Sequence, residues 1–227
     1  MPKIILAGEG SILINFGDKI DSALPKNIAN FENTIKTTLS ELIIDLTPSY
    51  TSLLVSYDLN KTSYTEFSAE VQNLLENFEF SNDYQNSNLV HIPVYYGLET
   101  GLDLERLLAE KNLTISEFVD IHSSQEYLVY AIGFAPNFAF LGEVDTRIQA
   151  PRLSTPRIKI PKGSVGIADS QTAVYPSESS GGWNIIGRTL LDLSLDSPQN
   201  LDKFQVGDKV KFYPITRNEY IAHGGQL

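Results

Sequence analysis

The sequence predicts an α+β domain over residues 1–96 followed by an all-β barrel domain over 97–227. Three observations predict it. Up to about residue 96, short apolar runs alternate with helical stripes. After His122 the texture changes to short apolar runs punctuated by Gly and Pro, the rhythm of a barrel or sandwich. The length of 227 residues suits one large domain or two small ones.

The elements follow in order. Ser11–Phe16 reads as a short strand. Ile28, Phe31, Ile35, Leu39 and Leu42 fall on one face of a helix over 27–40. Leu42–Leu46 and Ser52–Tyr57 read as strands, the second closed by a polar turn at 58–61. Tyr64, Phe67, Val71, Leu74, Leu75 and Phe78 repeat the helical stripe over 63–80. A polar linker at 81–88 precedes a strand at 89–95. This β-α-β-β-α-β order is the split βαβ, or ferredoxin-like, arrangement, in which two helices cover one face of a four-stranded antiparallel sheet. Two short helices follow. One carries Leu104, Leu107 and Leu108. The other starts at a Thr114–Glu117 capping box and buries Ile115, Phe118 and Ile121. Strands are then expected at 127–133, 158–161, 164–167, 172–175, 183–186 and 209–213. The tail after Pro214 is expected to be loose.

Composition excludes several functions. With no cysteine there is no disulfide, thiolate nucleophile or Cys-based zinc site. The three histidines leave any metal site dependent on carboxylates, and no metal is expected. The formal net charge of −11 disfavours polyanionic partners, so no nucleic acid is expected. No run is long and apolar enough to span a bilayer, and no signal peptide is evident, so a cytoplasmic protein without a membrane partner is expected. P-loop, dinucleotide-binding, nucleophile-elbow and H-E-x-x-H motifs are absent. Against the acidic background, residues 146–168 hold five basic side chains and no acidic one. They are Arg147, Arg152, Arg157, Lys159 and Lys162, an island suited to a small anion.

Three segments carry candidate chemistry. In YAIGFAPNFAFLGEVD (130–145), Tyr130, Phe134, Phe138 and Phe140 are interleaved with Gly133, Pro136 and Gly142. A rigid loop presenting rings to a ligand, or rings packed into the barrel, both fit. In the second segment, 151–168, Arg152 and Arg157 flank Thr155–Pro156. Their guanidinium forks bind carboxylates and phosphates, or else form structural ion pairs. In the third, 171–189, Ser180–Gly181–Gly182 forms either an anion nest or a hairpin turn, beside the single tryptophan, Trp183, and Arg188. His122, at the entry to the barrel, is the candidate titrating group. His91 and His223 are assigned no role.

These segments resemble the KipI family, also called the B component of 5-oxoprolinase or allophanate hydrolase subunit 1. The family's loop, its PR-x-x-TPR…GSVGIAG-x-QT-x-x-YP run and its SPGGW-x-x-IGRTP run are matched here by GFAPNFAFLG (133–142), PRLSTPRIKIPKGSVGIADSQTAVYP (151–176) and SSGGWNIIGRTL (179–190). SYTSLLVSY (49–57) and VYYGLETGLDL (94–104) match two further family patterns. The resemblance implies a cyclophilin-like barrel and association with the C component of 5-oxoprolinase as main partner. With the A component as well, the assembly hydrolyses 5-oxoproline to glutamate using ATP, and the isolated chain is not expected to bind ATP. The implied chemistry activates the lactam carbonyl by phosphorylation so that water displaces the phosphate. Arg152, Arg157 and Arg188, with His122, are the candidate catalytic groups, the arginines stabilising developing anionic oxygens. Phe134, Phe138, Gln171, Tyr175, Gly181, Gly182 and Trp183 are the candidate substrate-binding residues. Asn137, Phe140, Asp169–Ser170, Ser180 and Leu190 depart from the family pattern. Two alternatives from other classes are a KipI-like regulator that binds and inhibits a histidine kinase and, suggested only by the barrel, a prolyl isomerase.

Overall fold

A computed structural model describes residues 2–80, 87–196, 200 and 203–227. The chain divides into two units, Met1–Ser87 and Asn88–Leu227. Of the linker expected at 81–88, residues 81–86 lie outside the described residues.

In the first unit the order is β1 (Lys3–Gly8), β2 (Ser11–Asn15), α1 (Leu24–Thr38), β3 (Ile43–Ser49), β4 (Ser52–Tyr57) and α2 (Tyr64–Glu76). The strands form one antiparallel sheet ordered β1-β2-β4-β3. Strands β2 and β4 alternate, so Ile12, Ile14, Leu53 and Val55 share one buried face. The helical stripes Ile28, Phe31, Ile35 and Phe67, Val71, Leu75 pack into the same core. Burial of such a side chain contributes roughly 1.5–3 kcal/mol. Helix α2 starts at a Ser63–Glu66 capping box.

The sheet corrects the expected strand order. The N-terminal strand β1, which its mostly exposed side chains hide from periodicity, takes the edge beside β2 that the split βαβ gives to its last strand. The segment expected there forms β5 (Leu89–Val94) and belongs to the second unit, paired in parallel with β13 (Lys209–Pro214).

After β5 the second unit runs α3 (Leu104–Lys111), α4 (Ile115–Ser124), β6 (Glu126–Ile132), β7 (Ala139–Gly142), β8 (Arg157–Ile160), β9 (Ser164–Ala168), β10 (Gln171–Val174), β11 (Ser179–Gly181), β12 (Asn184–Arg188), β13 and α5 (Arg217–Ala222). Seven strands form a sheet ordered β12-β9-β10-β7-β6-β13-β5. Its two edges meet at a bridge between Tyr95 and Arg188, whose amides donate to each other's carbonyls at 2.9 and 3.0 Å. The sheet is therefore a nearly closed barrel, which leaves little edge unpaired. A side chain at Gly187 would lie 2.7 Å from the Tyr95 carbonyl, so glycine permits the closure. Ile92, Val94, Val129, Leu141, Ile167, Ile186 and Phe212 form a core with Leu104, Leu107 and Phe118 of the two helices. The Thr114–Glu117 capping box is present.

Three further expectations are corrected. The aromatic segment 130–145 is a loop only in part, since β6 ends within it at Ile132 and β7 lies inside it. Strand β11 pairs with β8 as a separate two-stranded ribbon. The tail folds into α5 behind a Thr216–Glu219 capping box, and its Tyr220 is buried and stacked on Tyr95 at 5.2 Å.

Candidate functional site

The three sequence segments converge on one small pocket of the second unit. The loop before β7 supplies Phe134 and Phe138, and β7 supplies Phe140. The segment before β8 supplies Arg152, the end of β10 leads to Tyr175, and the β11–β12 connection supplies Gly181, Gly182 and Trp183. The cavity measures about 130 Å³.

The walls are a network of edge-on rings. Phe138 contacts Phe140, Phe134, Tyr175 and Trp183 at centroid distances of 4.9, 5.1, 5.2 and 5.7 Å. Phe138, Tyr175 and Trp183 are buried, whereas Phe134 stands at the rim with 65% of its surface exposed. Gly181 faces the Tyr175 hydroxyl so closely that a Cβ would collide with it. Burial pushes the Tyr175 hydroxyl up to about 12, against the opposing pull of Arg152, the Trp183 amide and Arg157, so it stays protonated at neutral pH.

The arginines divide. The Arg152 guanidinium lies over the Trp183 ring, 5.8 Å from its centroid, and makes no ion pair or hydrogen bond among the described residues. Arg157 does not line the pocket. It donates twice to Asp103, at 2.8 and 2.9 Å, and Asp103 also accepts from the Ile185 amide at 2.7 Å. Arg157, expected to stabilise developing charge, has its fork occupied by a carboxylate from 54 residues upstream. Arg188 sits at the barrel seam, where one Nη donates to the Gln226 carbonyl at 3.3 Å. Its Nε and the Oγ of its cross-strand neighbour Ser164 are buried without a partner among the described residues. Arg188 does not line the pocket either.

His122, the candidate titrating group, does not line the pocket. It is wholly buried in the barrel core, and desolvation lowers its pKa to about 3. Its Nδ1 lies 2.8 Å from the Tyr96 hydroxyl and its Nε2 lies 3.0 Å from Oγ1 of Thr172. Thr172 donates to the Gly166 carbonyl, so it accepts from His122, which fixes the Nε2–H tautomer with Tyr96 as the donor to Nδ1. Gln171 lies on β10 outside the pocket lining. Of the nest and hairpin-turn alternatives at 180–182, the nest is not formed: Ser180 and Gly181 lie in β11, which pairs with β8, and none of the three has a positive φ.

Among the departures from the family pattern, Asn137 adopts the left-handed backbone of a glycine, with φ of 61°. Its amide donates to the Leu193 and Asn200 carbonyls, both at 2.9 Å. Sequence reasoning missed Asp103, whose signal is its place in the family-matching segment 94–104. Phe140, named there only among the rings of its segment, joins the pocket lining. Among the described residues, no group of three His, Asp or Glu side chains is placed to hold a metal ion. No helix among them is long and apolar enough to cross a membrane.

The second unit is thus a nearly closed barrel with a small aromatic pocket beside a guanidinium that is unpaired among the described residues. Comparison with known proteins gives its family: residues 2–200 match the carboxyltransferase domain, subdomain C and D, and the chain belongs to that family. The B component of the Bacillus subtilis 5-oxoprolinase is 38% identical over 95% of this chain and 94% of its own length. The solved TTHA0988 protein is 26% identical over 90% of this chain, with a TM-score of 0.78, and the chain spans 39% of its length. The urea carboxylase of Kluyveromyces lactis shares the fold with a TM-score of 0.72 at 18% identity, and the chain spans 22% of it. These relatives do not favour the kinase-regulator alternative.

Proposed function

We propose that this chain is the B component of an ATP-dependent 5-oxoprolinase, one that contributes to hydrolysis of 5-oxoproline to glutamate only when assembled with the A and C components. The observation that carries this reading is the 38% identity to a 5-oxoprolinase B component along 95% of the chain. It is supported by the convergence of the motif segments on one pocket. That pocket, at about 130 Å³, is small beside the ~300 Å³ at which drug-sized sites begin, which favours a ligand smaller than a nucleotide. ATP binding is therefore assigned to the rest of the assembly. In the same reading the two units are separate domains, the barrel is cyclophilin-like and the protein is cytoplasmic.

Within this reading, Arg152 and the aromatic walls bind and orient the substrate, while Asp103 and Arg157 hold the β8–β11 ribbon that forms one wall. The test measures 5-oxoproline-dependent ATP hydrolysis and glutamate release. It compares the chain alone, its mixture with the C component, and the full mixture with the A and C components. Activity is expected only in the full mixture. Inactivity there, under conditions where an established B component restores turnover, overturns the reading.

A further inference from the structure

We infer that the Arg152–Trp183 pocket is the binding site for a small cyclic carboxylate, holding the carboxylate on the Arg152 guanidinium and the ring between the aromatic walls. This deepens the proposed function, on which it rests for the identity of the ligand as 5-oxoproline.

Four features of the pocket lead to a cyclic monoanion. The first is charge. Of the six arginines, Arg106, Arg147, Arg157 and Arg217 bind carboxylates, and Arg188 donates to a carbonyl. Only Arg152, among the described residues, has a fork free of hydrogen bonds, and it is the one in the pocket. The second is the absence of a competing charge: no acidic side chain among the described residues lines the cavity. An α-carboxyl group is ionised at neutral pH and matches a guanidinium in bidentate geometry. The third is shape. About 130 Å³ accommodates a five-membered ring with one substituent, and the rings of Phe138, Phe140 and Trp183 offer it apolar faces and edges. The fourth is a neutral polar group. Tyr175 keeps its proton, because burial raises its pKa, and its O–H makes no hydrogen bond among the described residues. That O–H is available to an oxygen of the ligand. Phe134, at the rim, is placed to cover the ring once it is seated.

The pocket contains the chain's only tryptophan, so intrinsic fluorescence reports on it directly. The purified full chain is titrated with 5-oxoproline, with cyclopentanecarboxylate and with 2-pyrrolidinone, which has the lactam ring without the carboxylate. Saturable changes in Trp183 emission are expected with both carboxylates, and weaker binding by about tenfold or more with 2-pyrrolidinone. Arg152→Ala is expected to weaken both carboxylates by a similar factor and leave 2-pyrrolidinone unchanged, with partial recovery in Arg152→Lys. In the full mixture with the A and C components, Arg152→Ala is expected to raise the KM for 5-oxoproline by about tenfold or more, with a smaller change in kcat.

The two readings fail separately. If the full mixture does not hydrolyse 5-oxoproline but the chain binds cyclic carboxylates through Arg152, the enzyme assignment falls and the pocket assignment stands. If the mixture is active and Arg152→Ala keeps the wild-type KM, the pocket assignment falls. Equal binding of 2-pyrrolidinone and 5-oxoproline by the wild-type chain also overturns it, and so does a chain in which none of the three compounds changes Trp183 emission.

Discussion

Two aromatic clusters in the same barrel unit have similar composition and opposite uses. One surrounds His122 with Tyr96, Tyr127 and Phe212 at centroid distances of 5.7, 5.3 and 4.7 Å. The other surrounds Phe138 with Phe134, Phe140, Tyr175 and Trp183. In the first, every polar function of the histidine is answered inside the protein: both ring nitrogens are bonded, and its carbonyl accepts from Tyr127 at 2.7 Å. In the second, the adjoining guanidinium of Arg152 is left without a protein acceptor among the described residues. Buried polar groups that are fully paired specify structure, whereas an unpaired charge beside a cavity invites a ligand. Arg157 and Arg152, close neighbours in sequence, differ in the same way. The Arg157 partner, Asp103, is only 4% exposed and also anchors the Ile185 amide.

The largest test of this contrast is Asp103→Ala. It strips Arg157 of its carboxylate and orphans the Ile185 amide, so a loss of about 3–5 kcal/mol is expected from denaturant unfolding. A loss under about 1 kcal/mol would mean that Arg157 is as free as Arg152. Next is the pH dependence of stability. The folded pKa of His122 is depressed to about 3, so between its unfolded value of 6.5 and that point only the unfolded chain takes up the proton. Stability is therefore full above 6.5 and falls by about 1.4 kcal/mol per unit as pH drops below it. A His122→Gln chain, measured beside wild type from about pH 7 to about pH 4.5, should lack that slope. A flat wild-type profile would show that the ring takes up its proton in the folded protein and is not sealed.

A smaller effect is expected at Asn137. Asn137→Gly keeps the left-handed backbone but removes two hydrogen bonds, a loss of about 1–3 kcal/mol in the same unfolding assay. A neutral result would mean that the amide bonds are exchanged for water at no cost. The smallest effect is expected at the pocket itself. Arg152→Ala removes an exposed side chain with only a ring contact, so stability should change by less than about 1 kcal/mol. A larger change would move Arg152 to the structural side of the comparison.

Much of the fold was legible because periodicity records which side of an element is buried. The stripes of α1 and α2, the alternation of β2 and β4 and the capping box at Thr114 are all local signals. The pocket was nearly as legible. Phe134, Phe138, Tyr175, Gly181, Gly182, Trp183 and Arg152 were all nominated from motifs, and they meet in one cavity. Strand β1 was not legible, since its exposed edge leaves no alternation to read.

The sequence by itself determined most of the segments that form strands and helices, which residues build an aromatic, cationic pocket, and which family the chain resembles. Only the tertiary structure decided which sheet receives residues 89–94, which arginine is already paired, and how deeply His122 is buried. The physical reason is common to all three. Local patterns set the face that a residue presents. Strand partners, ion-pair partners and burial are set by chain that is distant in sequence, 54 positions for Arg157 and Asp103 and 120 for Lys209 and Leu89.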